Sequence, residues 1–476
     1  MDCVIEPEKT TPVLMRADVV VVGGGPAGLA AAIASARNGA ATVLVERNNC
    51  FGGNATSGMV LALGGYNSWT EPHERVLGGI PQELFTRMVD MDGARESKGV
   101  VLEYDPEAFK TVADGMVLEA GVTPLLDTLG VSPWMEGTSL RGVFVESKSG
   151  RHAVEAQVVV DASGDADIAA RAGAPTEKPE ILQPATMCFR VRGVGRRVPV
   201  GAAVPNEGIE VAVERVAEEA GNLPLEALQR WRQFRWEIEH PLLGTRTPTT
   251  YRIRAMMEDA CERGELSRFG GPWFAGLDES EVWVNATQQF VDATDVRSLT
   301  EGEIEGRRQV REMVGFWKRN VAGFQSCNLI DTAARLSIRE TRRIVGEHML
   351  TGQDVVENKT VPDAIAIGCW PIDVHRGKGE IPTDQDRRYR GYRPRPYQIS
   401  YRCLVPLRVD QLLVAGRCVS TTREGMGSIR VMGTCMALGE AAGTAAALAV
   451  VAQVRPRDLD TAALGRALRN QGAIVG

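Results

Sequence analysis

Residues 17–47 read ADVVVVGGGPAGLAAAIASARNGAATVLVER. The stretch divides into an apolar β-branched run, a glycine turn, an alanine-rich helix and a second apolar run, the order of a βαβ unit. Val19 to Val22 make an uninterrupted apolar strand of the kind buried on both faces of a parallel sheet. Gly23, Gly25 and Gly28 then supply G-x-G-x-x-G. The first makes the tight turn, the second lets backbone approach a pyrophosphate, and the third lets the helix pack close on the strand. The helix aims its N–H groups and positive dipole end at the phosphates. Glu46 ends the second strand near the ~20-residue spacing at which a carboxylate meets a ribose 2′-hydroxyl.

Strand, turn, helix, strand and carboxylate in this order predict a dinucleotide site, and three later segments favour FAD over a nicotinamide. Residues 47–58, RNNCFGGNATSG, place a Gly-Gly turn and small hydroxyl residues where backbone can pass beside an extended cofactor. The alternating runs VTPLLDT (122–128), LRGVFVES (140–147) and HAVEAQVVV (152–160) predict a three-stranded β excursion that rejoins the parallel sheet through Val158 to Val160 and ends at Asp161-Ala162-Ser163-Gly164-Asp165. Leu412 to Arg417 reads as a further buried strand ending in glycine, followed by an alanine-rich helix over 434–452. The N-terminus of that helix, near Gly433 and Thr434, is placed to face the flavin's pyrimidine edge and to stabilise negative charge there.

The whole chain has 476 residues, with 54 Lys and Arg against 61 Asp and Glu, a formal charge of −7. That balance excludes the dense basic face of a nucleic-acid binder. The length suggests two or three domains at ~150 residues each, and 44% hydrophobic residues exclude intrinsic disorder. Met1 to Glu8 lacks the basic start and apolar run of a secretory signal. Residues 434–452 are apolar, but Ala and Gly dominate them and Glu440 interrupts them, which predicts a buried helix and no membrane span. The nine cysteines are scattered, with no C-x-x-C pair, so neither a disulfide framework nor a metal site is expected, and a reducing cytoplasm is.

With these motifs in view, the chain resembles the FAD-dependent oxidoreductase family, a branch of the flavoproteins similar to glutathione reductase in cofactor binding. The resemblance is carried by GGGPAGLAAA, GGNATSG, VVVDASGDADIAARAGA, residues 337–346 (SIRETRRIVG), 370–375 (WPIDVH), 401–406 (YRCLVP), LLVAGRCVST and SIRVMGTCMALGEAAGTAAAL. It implies an α/β chain: a Rossmann-like FAD-binding domain, its parallel sheet carrying a β-meander excursion, with an inserted α+β substrate domain. It also implies that Gly23, Gly25, Gly28, Glu46, Arg47, Gly53, Thr56, Asp161, Gly164, Gly416 and Arg417 line FAD. Arg417 stands where many relatives outside this branch have an aspartate. The expected division is 1–182 and 328–476 for the two parts of the FAD domain and 183–327 for the insertion, with the active site at their junction.

Disulfide reductases of this superfamily carry a redox pair just after the Gly-Gly turn, but those positions here are Ala55 and Val60, and Cys50 reads as a packed cysteine. The flavin must then exchange electrons with substrate directly, most simply by accepting hydride from a C–OH or C–N bond while a base takes the proton. Of five histidines, His375 is the expected base, with Asp373 two residues away to orient it and His73 as second choice; His152, His240 and His348 read as peripheral. Where relatives show T-H-E-A, this chain has Thr422-Arg423-Glu424-Gly425, and Arg423 cannot serve as a base. Arg423 and Arg430 together read as an oxyanion or carboxylate contact. Arg339, Arg342 and Arg343 with Glu340 suggest interdomain ion pairs on a helix-like segment. Arg387, Arg388, Arg390, Arg393 and Arg395, interleaved with Tyr389, Tyr392 and Tyr397, read as a solvated hairpin or an anion clamp.

In the insertion, Thr300-Glu301-Gly302-Glu303 is a capping-box candidate, and Val310, Met313, Val314 and Trp317 form one apolar helical face. Trp231, Trp236, Trp273 and Trp283 serve a core or a substrate wall. A dehydrogenase or oxidase acting on a small polar molecule is therefore expected, with a homo-oligomer as the candidate assembly. An NAD(P)H-fed reductase or monooxygenase, and a non-catalytic FAD-binding partner protein, are the alternatives.

Overall fold

Val19 to Val22 are buried on both faces, as an apolar run without alternation demands. In the computed structural model, which describes residues 3–4, 8–95, 101–194, 197–198, 240–241, 248–277, 281–321, 323–381, 389 and 391–476, they end β1 (Val13–Val22) inside a seven-stranded sheet. β1 runs through the glycine turn into α1 (Pro26–Arg37) and back on β2 (Thr42–Val45), parallel to β1 with Val22 opposite Val45. After α2 (Gly79–Asp90), β3 (Thr123–Leu125) adds in parallel outside β2. A meander of β4 (Leu129–Glu136), β5 (Ser139–Ser147) and β6 (Gly150–Asp161) then reaches the other side of β1, where Val158 pairs with Val19. The excursion is present, but its first strand is Leu129–Glu136. VTPLLDT belongs to the parallel sheet, because Thr123–Leu125 takes up the hydrogen bonds left open along β2.

Beyond α3 (Asp167–Arg171), the strands β7 (Phe189–Arg192), β8 (Phe269–Ala275), β9 (Glu281–Thr287) and β10 (Asn328–Thr332) build a separate antiparallel sheet in the order β8-β9-β7-β10. The boundary expected at 327/328 thus falls at the first residue of β10. α4 (Val296–Asn320) buries Val310, Met313, Val314 and Trp317, as their spacing predicts. Its cap is Asp295, which accepts from the N–H groups of Arg297 and Ser298. The capping box expected at Thr300 does not form, because Thr300 is already inside the helix and donates to the Val296 carbonyl. Trp317 is fully buried against Phe189, Phe274 and Phe324, with ring centroids 5.4 to 5.8 Å apart. Truncating it to alanine would cost about 3–5 kcal/mol.

β11 (Leu412–Val414) rejoins the first sheet. The early residues of β6 pair with β5, and its last three pair in parallel with β11, Val414 lying opposite Asp161. α5 (Met432–Ala452) is long and apolar enough to cross a membrane, yet 72% of its most apolar window is buried inside the protein. It lies on α1 so closely that a Cβ at Gly439 or Gly443 would overlap the Ala27 or Ala31 carbonyl oxygen. The segment from Arg339 to Arg343, expected to be helix-like, is not helical: it is irregular up to Arg343–Ile344, which pairs with Thr176–Glu177.

Candidate functional site

The turn after β1 is shaped by glycine for two different reasons. Gly23 adopts φ +102°, a left-handed geometry that costs a side-chain-bearing residue energy, and a Cβ at Gly28 would overlap the Gly23 carbonyl. Gly25 is unlike either. Its φ of −67° suits any residue and no atom lies within 4 Å of where its Cβ would be, so neither strain nor packing calls for glycine there. What the missing side chain does is keep open a groove at the N-terminus of α1, as close approach of a phosphate requires.

Gly23, Gly25, Glu46, Arg47, Gly53, Gly164, Gly416 and Arg417 all line this groove. Glu46 is buried and accepts from Gly24 N (2.6 Å) and Asn48 N (2.8 Å), which fixes its carboxylate at the end of β2. Arg417 donates to Asp165 at 2.6 Å. Gly28, Thr56, Asp161 and Gly433 stand behind the lining. Thr56 donates to the Phe51 carbonyl at 2.6 Å. Asp161 accepts from Ser163 N and from the N–H groups of Ile168 and Ala169, bracing the turn that presents Gly164. Gly433 backs onto Gly64 and Leu77, while its neighbours Met432 and Cys435 face the groove. The pattern in sequence did not reveal Arg335, which sits in the groove with Arg47. Burial and the Arg47 charge depress its guanidinium to about 10.

The groove opens into a larger cavity of about 950 Å³, and Asn54, Ile338, Arg417, Arg430 and Met432 line both. Arg339, Asp373, His375 and Arg430 share a wall of that cavity, and Trp69, Trp273, Trp283 and Trp370 also line it. His375 Nε2 lies 3.4 Å from Asp373 Oδ2, and Arg430 Nη2 donates to the same oxygen at 2.8 Å. The His375 N–H donates to Gln183 Oε1 at 2.9 Å, which pins the backbone. Burial depresses the imidazole below its ordinary 6.5; Asp373 pushes it back up, and Arg339 and Arg430 push it down again. Burial alone would raise the Asp373 carboxyl, but His375, Arg430 and Arg339 pull it far below its usual range. The result is a neutral imidazole beside a permanently ionised carboxylate.

Other expected residues have different work. Arg423 is enclosed by Glu380 and Glu340, so it does not form the anion contact expected of it with Arg430. Arg342 pairs with Asp167 and Arg343 with Glu340, whereas Arg339 leaves this group for the cavity. His73 contacts Ser68 and Glu71 outside both cavities. His152 lies on β6, and the His240 side chain is outside the described residues. Trp231, Trp236, Arg387, Arg388 and Arg390 also lie outside them. Arg393 lies over the Trp69 ring at 5.1 Å, while Tyr389 donates to Gln353 and Tyr392 to the Val356 carbonyl. Cys50 rests against Thr56 and Ser57 and pairs with no other cysteine.

Over 137 residues the chain is 37% identical to thiamine thiazole synthase of Aeropyrum pernix, covering 28% of this chain and 44% of that protein. Over 170 residues it is 28% identical to digeranylgeranylglycerophospholipid reductase of Methanoculleus marisnigri, covering 34% of this chain and 42% of the other. It thus spans less than half the length of these curated relatives. A solved geranylgeranyl bacteriochlorophyll reductase-like protein of Thermoplasma acidophilum is 12% identical and overlays 96% of this chain and 85% of its own with a TM-score of 0.43. The family described as FAD dependent oxidoreductase matches residues 18–468, the span that builds both the groove and the cavity, and the chain belongs to that family.

Proposed function

We propose that this FAD-dependent oxidoreductase removes hydride from a C–OH or C–N bond of a small organic substrate, with His375 as the base. The observation that carries this is His375, 3.4 Å from Asp373, on the wall of a cavity that shares lining residues with the groove. The residues fit the cofactor. Gly25 would leave room for its phosphates, Glu46 would be the carboxylate for its ribose, and Arg47, Arg335 and Arg417 would offset the pyrophosphate charge. Bound FAD supplies a two-electron acceptor for hydride.

The remaining chemistry belongs to the chain. With Asp373 Oδ2 3.4 Å from Nε2 of His375, the carboxylate favours the tautomer with its proton on Nε2 and the lone pair on Nδ1. As the substrate C–H bond breaks with both its electrons, the O–H or N–H proton passes to that nitrogen and a C=O or C=N bond forms. Asp373 then stabilises the imidazolium without taking the proton, because the cations around it keep its own proton affinity low. Trp69, Trp283 and Trp370 help keep water from the reacting atoms.

The test is the visible spectrum of the holoenzyme without oxygen while alcohols, amines and hydroxy acids are added in turn. Bleaching by one of these, lost in His375→Asn with FAD content unchanged, is the expected result. Bleaching by NAD(P)H alone would overturn the proposal in favour of a reductase or monooxygenase.

A further inference from the structure

The cavity wall carries more positive charge than it neutralises. Arg430 shares Asp373 with His375, and its buried Nε–H has no acceptor among the described residues. Arg339 lines the same wall, where the Arg430 and Asp373 charges both act on it, and among the described residues its one side-chain hydrogen bond is to a neutral group, the Pro184 carbonyl at 2.5 Å. Among the described residues no carboxylate lies within ion-pair distance of Arg339. The other guanidiniums on this cavity are engaged elsewhere or reach solvent. Arg254 pairs with Glu258, Arg268 lies over Phe290, Arg417 pairs with Asp165, and Arg376 is exposed to solvent. Two arginines therefore face one carboxylate beside a neutral histidine. A cation left unpaired in a partly desolvated site is costly, and the missing partner is an anion.

We propose that the substrate is an organic acid, and that Arg339 and Arg430 hold its carboxylate beside His375. This rests on the hydride-removal reading above and names its substrate class. The planar guanidinium suits a carboxylate because two N–H groups match its two oxygens. The tryptophans on the same cavity suit an aromatic or bulky apolar body on that acid. Arg339 acts here as the residue that sets specificity, because it reaches this wall without a carboxylate partner among the described residues.

The experiment is isothermal titration of the holoenzyme with phenylacetate and with phenylacetamide, its neutral counterpart, followed by glycolate, lactate and mandelate with their amides. The acid should bind roughly 30-fold more tightly than the amide in at least one pair, and Arg339→Gln should bring the acid down to the level of the amide. Arg339→Lys, which keeps the charge and loses the fork, should fall between. Equal binding of acid and amide in every pair, or acid binding that ignores Arg339→Gln, would overturn the proposal. If Arg339→Gln fails to fold, the acid-to-amide ratio of the unaltered protein decides the matter by itself. Glycolate, lactate or mandelate that binds without ever bleaching the flavin upholds the carboxylate site and counts against hydride removal. Neutral alcohols or amines that bleach it, while acids bind no better than amides, do the reverse.

Discussion

The groove and the cavity meet along five shared residues, yet they are made of different material. The groove is largely backbone: a turn, a helix end and glycines drawn from β1, the Gly52-Gly53 turn, the end of β6 and the end of β11. The cavity is largely side chain, its working wall assembled from Arg339, Asp373, His375 and Arg430 on segments far apart in the chain. A site made of backbone is damaged by adding atoms, and one made of side chains by removing them. This is a contrast that substitution can test.

The sharpest test is at the two glycines of the turn. Gly28→Val should abolish the folded protein, since the added carbons overlap the Gly23 carbonyl. Gly25→Val meets nothing in the protein itself and should leave thermal stability nearly unchanged, while FAD affinity falls by about 100-fold or more. Equal damage from both would erase the distinction between packing and ligand clearance. On the cavity side, His375→Asn should lower kcat by about 10²- to 10⁴-fold with the 450 nm flavin band intact.

The third expectation concerns pH. With His375 as the proposed base, turnover needs the neutral imidazole, and because burial holds its pKa below the ordinary 6.5, the acid limb of kcat/KM should lie below pH 6.5. Asp373→Asn removes the charge that raises the imidazole, so the acid limb should move to still lower pH. Arg339→Gln removes a charge that lowers it, so the limb should move up. Shifts of the same sign from both would refute the arrangement. The smallest effect is expected far from either cavity, at Glu440 on α5, whose buried carboxyl faces the first turn of α2 and is raised from 4.5 to about 8. The folded protein keeps a proton that the unfolded chain loses, so this group makes stability fall as pH rises from about 4.5 to about 8. Glu440→Gln should flatten that part of the Tm profile and leave the variant more stable than the parent at pH 8.

Most of the groove was legible in the sequence because backbone sites need local order: Val19–Val22, the glycine spacing and Glu46 are all set within one βαβ unit. The cavity was only partly legible. Asp373 and His375 lie two apart and stayed together, but Arg339 was misread. Its neighbours Glu340, Arg342 and Arg343 have helical charge spacing, and Glu340 does pair with Arg343, yet the segment is not helical. Only the fold reveals which of three adjacent arginines turns toward Asp373. Arg423 failed for the mirror-image reason, since Glu380 and Glu340, both remote in sequence, were free to claim it. The cap at Asp295 and the strand at Thr123–Leu125 are further cases in which a competing partner, invisible to pattern, decided the outcome.

The contact of Gly439 and Gly443 with the carbonyls of Ala27 and Ala31 also governs the tempo of the molecule. Helices touching main chain to main chain exchange weak Cα–H···O contacts and have no side chains between them to rearrange. Their amide hydrogens should exchange with solvent only when the whole first sheet unfolds. Gly25 and Met432 stand at the ends of the two joined helices. The groove is therefore framed by two helices that cannot slide past one another without a main-chain clash.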